Sequence, residues 1–340
     1  MNRAPRIAVF GAGSIGCHLG GMLAAAADVT LIGRPAPMAA IERDGLTLSG
    51  PGRARREVRG LTVATGAAAA ASADYVLVTV KSADTRAAGR ELAGRLAPGA
   101  VVISFQNGLH NPEELRAGLP AHRVLAGMVP YNVVRSGPAA VHQGSGGALL
   151  VEDAPQAHRF AAAARAGGLA LALHPDMPGV QAAKLLMNLN NAVNALSGRP
   201  LREELGARAY RACLARCQRE ALAAFRAAGI APARLGPLPP RWMPRVLGLP
   251  DVLFRRVAAA ALRIDARARS SMWEDLERGR PTEVDALQGE VIALAARHGL
   301  PAPANARLAA LVHEAERAGP GGARRWSGPE LLAALDAPDA

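Results

Sequence analysis

Cysteine is scarce, with three in 340 residues. That is too few for a disulfide framework and fits a reducing compartment. No second pair of ligands accompanies Cys213 and Cys217, which stand four apart on a predicted helix, so thiols in or near the core are expected there and no metal site. Aromatics make up only 3% of the chain, and its arginines are scattered, so the net charge of +12 does not read as a nucleic-acid surface. No apolar run reaches the length of a membrane span, and no charged-then-apolar leader opens the chain. A cytoplasmic protein with neither membrane nor nucleic acid as partner is expected. Half of the residues are hydrophobic and a fifth charged, and the length allows two domains with real cores.

What is present begins at residues 7–16. Ile7 to Phe10 is an apolar run that reads as a buried parallel strand. Gly11-Ala12-Gly13-Ser14-Ile15-Gly16 follows as a G-x-G-x-x-G turn, and residues 17–27 read as a helix. Gly11 permits the bend out of the strand, Gly13 lets a pyrophosphate approach the backbone, and Gly16 lets the helix pack close to the strand. The helix N-terminus offers unpaired N–H groups and a partial positive charge to phosphates. The alternative is a tight strand-to-helix turn with no ligand; the strand before and the helix after favour a dinucleotide site.

A further lack decides which dinucleotide. A site for NAD usually carries an acid about 20 residues beyond the turn, on the ribose 2′-OH. Here the second predicted strand, 29–32, is followed by Gly33 and Arg34. Asp28 precedes that strand, and Glu42 lies well past it. A guanidinium at this point suits the 2′-phosphate of NADP; the bland reading is a solvated arginine. Basicity from an Ala-, Arg-, Gly- and Pro-rich composition also creates a field that attracts anionic ligands.

Farther along, 38–44 reads as a short helix. Residues 46–48 and 61–63 suggest a hairpin turning around Arg53-Ala54-Arg55-Arg56. Strands are predicted at 75–80, with Lys81 at the carboxyl end, and at 101–105, followed by Gln106-Asn107-Gly108; ligands of open α/β sheets bind at that edge. Helices are predicted over 85–96 and up to 119. Residues 124–134 read as a strand broken at Val129-Pro130, and 139–143 with 148–151 as a closing antiparallel pair. Alternating strands and helices indicate a doubly wound sheet. From 181 onward the periods are helical: 181–196, 202–229, 252–263, 272–278, 282–298, 305–317 and a tail at 330–335, with a loop over 232–250. Domains are expected at 1–177 and 178–318, with 319–340 as linker and tail, and an active site in the cleft between the two domains.

Residues 184–194 contain four asparagines in seven positions, poor helix formers that ask for a reason. At about 100° per residue, Lys184, Asn188 and Asn191 share a face. A lysine partly buried among apolar and amide neighbours has a lowered pKa and can donate a proton near neutrality; otherwise it is a surface lysine among loop-capping amides. In 270–285, a serine opens one helix. Thr282 can cap the next, with Asp285 three residues on, and Glu283 sits in its first turn. Those are sufficient structural reasons for these residues.

Gly11 to Gly16, Val80-Lys81, Gln106-Asn107-Gly108, Lys184 with Asn188, Ser270-Ser271-Met272 and Thr282-Glu283-Val284-Asp285, in that order, resemble the ketopantoate reductase (2-dehydropantoate 2-reductase) family over about residues 7–312. The resemblance implies a Rossmann domain followed by a helical domain like that of 6-phosphogluconate dehydrogenase. It also implies NADPH-dependent reduction of 2-dehydropantoate to pantoate, on the route to pantothenate; a monomer or homodimer is expected. Lys184 matches the family's proton donor, Asn188 and Ser271 match substrate positions, and Asn107 matches a position touching cofactor and substrate. Arg34, Lys81 and Glu283 match cofactor-side positions. Two departures stand out: Ala192 occupies a position where the family often has asparagine, with Asn191 one place earlier, and a downstream polar position falls near Arg202. The rival readings are a reductase or dehydrogenase of another small 2-oxo or 3-hydroxy acid, an imine reductase, or a non-catalytic NADP sensor.

Overall fold

The computed structural model describes residues 3–258 and 268–336. Contacts divide the chain into two units, 1–177 and 178–340. The first carries twelve strands: β1 (Arg6–Phe10), β2 (Asp28–Ile32), β3 (Leu46–Gly50), β4 (Arg53–Val58), β5 (Thr62–Ala64), β6 (Tyr75–Val78), β7 (Val101–Ser104), β8 (Arg123–Met128), β9 (Val133–Gly137), β10 (Ala140–Gln143), β11 (Leu149–Glu152) and β12 (Leu171–His174). Eight form one sheet in the order β12-β11-β8-β7-β6-β1-β2-β5. From β5 to β8 every pair is parallel; β11 runs antiparallel to β8 and β12 parallel to β11. This is a doubly wound Rossmann sheet.

Side-chain alternation sends successive residues to opposite faces. Ile7, Val9, Leu31, Leu77, Ile103 and Leu125 join one apolar cluster. Ala8, Phe10, Ile32, Val76, Val78, Val102 and Val124 join another. Both faces are therefore covered, as an all-parallel core requires. Chain order reverses between β1 and β6, where Phe10 pairs with Val78. Gly11 and Thr79 consequently leave the sheet side by side, at the switch point where such sheets take ligands.

The remaining strands form a second sheet, β4-β3-β10-β9. Here the structure corrects several expectations. Arg53 to Arg56 is not the turn of the hairpin but part of β4, which pairs with β3. Residues 62–64 leave the hairpin and pair with β2 as an edge of the large sheet. The break at Val129-Pro130 separates β8 from β9, which lie in different sheets, and β10 and β11 likewise do not pair with each other. A helix at Ala157–Ala166 and strand β12 also lie beyond the sequence reading.

The second unit is helical. Its long Arg208–Ala227 helix buries Cys213, Leu214, Cys217, Ala221 and Phe225. The expected 202–229 helix is two, Leu201–Gly206 and Arg208–Ala227, and the expected 181–196 helix is also two, Met177–Asn188 and Asn190–Ser197. The loop expected over 232–250 holds a short helix at Met243–Leu247. Helices at Ser271–Glu277, Val284–Arg297, Pro303–Ala318 and Gly328–Ala334 stand close to expectation. Of the predicted 252–263 helix, Asp251–Val257 is present, and 259–267 lie outside the described residues. No helix among the described residues is long and apolar enough to cross a membrane.

Candidate active site

The three glycines of the first turn answer to different constraints. A Cβ on Gly11, whose φ is +97°, would stand 2.6 Å from the backbone N of Val80, and one on Gly16 would stand 2.6 Å from Thr79 Oγ1 and 2.8 Å from the Gly11 carbonyl. Packing within the protein therefore forbids side chains at both. A Cβ on Gly13 would meet only the Gly11 carbonyl, at 3.7 Å. The backbone at Gly13 is exposed and no close protein neighbour requires it to be bare, which fits the close approach of a phosphate. Gly13 caps the Ser14–Leu23 helix without a side-chain bond, and no acid lies in the first turn. The positive helix end faces no competing carboxylate of its own, which fits a dinucleotide's pyrophosphate.

Distant residues brace this turn. Thr79 Oγ1 donates to the Gly11 carbonyl at 2.8 Å. Arg135, from β9, donates to the Ala12 carbonyl at 3.3 Å, and the buried Cys17 thiol donates to the same oxygen at 3.3 Å. Neither Thr79 nor Arg135 carries a motif that sequence reading could have used. Arg34 caps the Pro35–Asp44 helix directly beyond β2 and Gly33, with its side chain exposed.

Lys81 and Asn107 follow β6 and β7, both half-buried. A chain of hydrogen bonds joins their loops. Ser104 Oγ donates to Gln106 Oε1 at 3.0 Å, and Gln106 Nε2 donates to Thr85 Oγ1 at 2.7 Å. Thr85 Oγ1 donates to Asn111 Oδ1 at 2.6 Å. Asn111 Nδ2 in turn donates to Ser82 Oγ at 3.1 Å and to the Asn107 carbonyl, which also accepts from Ser82 Oγ at 3.0 Å. A buried network satisfied in this way fixes the carboxyl edge that presents Lys81 and Asn107.

In the helical unit, Lys184 lies near the end of the Met177–Asn188 helix, half-buried, and burial pulls its ammonium down to about 8. Asn188 is buried. The helix is interrupted at Leu189, where two side chains reach its carbonyls: Gln218 Nε2 donates to Leu186 O at 3.0 Å, and Gln288 Nε2 to Leu189 O at 2.9 Å. Side chains inserted at a helical ladder are a recognised cause of such breaks. Leu189 itself keeps right-handed helical angles, φ −56° and ψ −23°, and its N–H donates to Leu185 O at 2.9 Å, so the backbone stays helical on the way to Asn191, half-buried on the following helix.

The four asparagines now sort into two pairs. Asn190 and Asn194 point into the fold: Asn190 Nδ2 donates to Glu204 at 3.0 Å, and Asn194 donates to Arg199 O at 2.9 Å while accepting the Ser270 N–H at 2.9 Å. Asn188 is buried and Asn191 half-buried, and Asn191's own carbonyl accepts from Ser270 Oγ at 3.3 Å. Ser270 also caps the next helix, accepting from Trp273 N at 3.2 Å. That bonding brings exposed Ser271 to the Asn190–Ser197 helix. Glu283, half-buried, is the cap position of the Val284–Arg297 helix, whose Gln288 holds Leu189. Thr282 does not form the expected box with Asp285: its hydroxyl accepts from Val284 N at 3.2 Å, and Asp285 pairs with His313 at 3.0 Å. Ala192 is fully buried and Arg202 exposed.

Composition holds a signal that the motif reading passed over. Of the forty basic residues only two are lysine, Lys81 and Lys184. A guanidinium carries charge equally well but does not give up its proton. Both lysines therefore stand out among the arginines as side chains able to release a proton.

Comparison with known proteins agrees with this layout. The family model described as Ketopantoate reductase PanE/ApbA matches residues 7–156, and that of its C-terminal domain matches 176–316. A 2-dehydropantoate 2-reductase of Halobacterium salinarum is 32% identical over 323 residues, covering 92% of this chain and 100% of its own. One from Caulobacter vibrioides is 30% identical, covering 91% and 98%. The solved structure of a PanE/ApbA family ketopantoate reductase from Ralstonia eutropha JMP134 superposes with a TM-score of 0.80 at 31% identity, covering 92% of this chain and 98% of that one.

Proposed function

The chain belongs to the ketopantoate reductase family, and we propose that it reduces 2-dehydropantoate to pantoate with NADPH, using Lys184 as the proton donor. The observation that carries the assignment of Lys184 is a half-buried lysine whose proton is labile at about 8, in a chain that otherwise uses arginine. NADPH, when bound, supplies the hydride. Gly13 and the N-terminus of the Ser14–Leu23 helix take the pyrophosphate, and Arg34 pairs with the 2′-phosphate through charge-assisted bonds. Lys81, Asn107 and Glu283 are cofactor-side residues in this reading.

Negative charge develops on the substrate's carbonyl oxygen as the carbon is reduced. Lys184 Nζ stabilises that charge and then gives the oxygen its proton. Asn107, Asn188, Asn191 and Ser271 hold the carboxylate and the hydroxyl groups. With Ala192 buried, Asn191 is the amide left on that stretch to stand in for the family's second asparagine.

The test is NADPH oxidation with 2-dehydropantoate and 2-oxoisovalerate side by side. The two differ by one hydroxyl, and a site that bonds it leaves a polar group unpaired when it is missing. 2-Oxoisovalerate is expected to be poorer by about a hundredfold or more in kcat/KM, and Asn188→Ala to narrow that gap by slowing the hydroxylated substrate. Equal turnover of both by the wild type would move the assignment to a different 2-oxo acid.

A further inference from the structure

Glu204 is a carboxyl group with 0% exposure, in the Leu201–Gly206 helix. Its Oε2 accepts from Asn190 Nδ2 at 3.0 Å. Among the described residues, Glu204 Oε1 has no hydrogen-bonded donor, and Asn190 Oδ1 is likewise a buried acceptor without one. Two orphaned acceptors on two groups already joined by a bond are a costly arrangement in a dry interior.

The nearby cation does not relieve it. Arg211, also with 0% exposure, commits its guanidinium to the carbonyls of Leu205 at 3.0 Å, Leu247 at 3.0 Å and Leu249 at 2.8 Å, and to Asp251 Oδ1 at 2.8 Å. The guanidinium also lies 4.0 Å from the Phe254 ring centroid. Tyr210 and Cys213, on the same Arg208–Ala227 helix, are the other titratable groups that face the carboxyl, and both have pKa values raised by burial. The Asn190–Ser197 helix brings no titratable side chain; its Asn190 and Asn194 amides, with the Arg211 charge, favour the ionised carboxyl, and burial opposes them with the larger effect.

A single proton resolves the conflict. A protonated carboxyl has one donor and one acceptor along its edge, the complement of a carboxamide. We propose that Glu204 is a neutral carboxylic acid in the folded protein, paired edge to edge with the Asn190 carboxamide, and that it is a positioning residue for the turn that carries Lys184 and Asn188. The second half rests on Lys184 being the proton donor. Asn190 is the first residue of the helix beyond the Leu189 junction. Gln218 and Gln288 hold the carbonyls at that junction, and Glu204 holds its third anchor. Of the three anchors, only Glu204 titrates.

Burial pushes the Glu204 carboxyl up to about 8. Its folded value lies above its unfolded one, so the folded state binds the extra proton. Stability is then lost as pH rises from the unfolded value towards the folded one, by up to about tenfold in the folding constant per pH unit. Above that range Oε1 becomes an acceptor among acceptors, and the pair opens.

The decisive variant is Glu204→Gln, whose amide can make the same two edge bonds without a proton. Thermal stability of the wild type should fall against that of Glu204→Gln between about pH 5 and about pH 8. From about pH 7 to about pH 9.5 the wild-type KM for the 2-oxo acid should rise several-fold while that of Glu204→Gln stays level, and the Kd for NADPH should not change with either. Infrared difference spectra of the wild type over the same range should show a protonated-carboxyl band disappearing, and Glu204→Gln should lack it. A wild type without that band, or a Glu204→Gln protein that is less stable near neutrality with the same pH slope, would show an ionised Glu204 and overturn the pairing. If the stability slopes differ but KM tracks alike in both proteins, the positioning role is overturned. A Lys184→Ala enzyme with wild-type kcat would remove the reading of Lys184 and leave the infrared and stability results standing on their own.

Discussion

The Gly-rich turn of the first unit and the Leu189 junction of the second are both held in place, by opposite means. The turn works by omission. Gly11 and Gly16 lack side chains because Val80 and Thr79 stand where they would go, and Gly13 lacks one although its Cβ would make only an ordinary contact with the Gly11 carbonyl. The junction works by addition: Gln218, Gln288, Ser270 and Glu204 arrive from four other elements to fix the stretch containing Lys184 and Asn188. A site made of bare backbone leaves its constraint in local spacing. A site made of borrowed side chains scatters its constraint over the chain.

Removing the proposed proton donor should break the comparison most severely. Lys184→Ala is expected to lower kcat by about two to four orders of magnitude with NADPH binding intact, measured by steady-state rates and cofactor titration. In the wild type, kcat should fall as pH rises through about 8, because Nζ then has no proton to give, and that limb should vanish with the lysine. A Lys184→Ala protein with undiminished kcat would turn attention to Lys81.

The next effect belongs to the first unit. Arg34→Ala should weaken NADPH by about 1.5–3 kcal/mol, the scale of a bond to a charged group, and leave NADH nearly unchanged in the same fluorescence titration. Equal losses for the two cofactors would show that Arg34 does not read the phosphate.

The smallest effect sharpens the idea of omission. Gly16→Ala forces a methyl onto Thr79 and the Gly11 carbonyl and should cost folding about 1–3 kcal/mol, seen as a lower Tm. Gly13→Ala should keep a nearly wild-type Tm while weakening NADPH by about tenfold, ~1.4 kcal/mol. If both variants lose stability alike, Gly13 is a packing glycine and not a landing place for phosphate.

The large sheet was legible wherever strands are apolar on both faces, as at β1, β6 and β7, because nothing else in the chain has that composition. The small sheet was not. β4 reads Arg-Ala-Arg-Arg-Glu-Val, an edge strand whose charges discourage further pairing and whose sequence looks like a turn. Strand partners were equally hidden: residues 62–64 look alike whether they close a hairpin or join β2, since alternation sets the face of a strand and not its neighbour. At the junction, Lys184 and Asn188 could be read from spacing, whereas the break could not. Its cause lies in Gln218 and Gln288, about thirty and a hundred residues downstream. Glu203 and Glu204 are adjacent and chemically identical, and only tertiary packing leaves one exposed and the other fully buried.

The three cysteines give the two units separate clocks. Cys17 lies in the first, Cys213 and Cys217 in the second, all with 0% exposure, and burial raises the pKa of each thiol. A thiol-reactive dye can reach them only when the surrounding unit opens. Modification at Cys17 would therefore time the opening of the first unit, and modification at Cys213 or Cys217 that of the helical unit, with mass spectrometry assigning each label. Because no cysteine is exposed in the folded chain, a new one placed on the surface of either unit would take a fluorophore at a single known position.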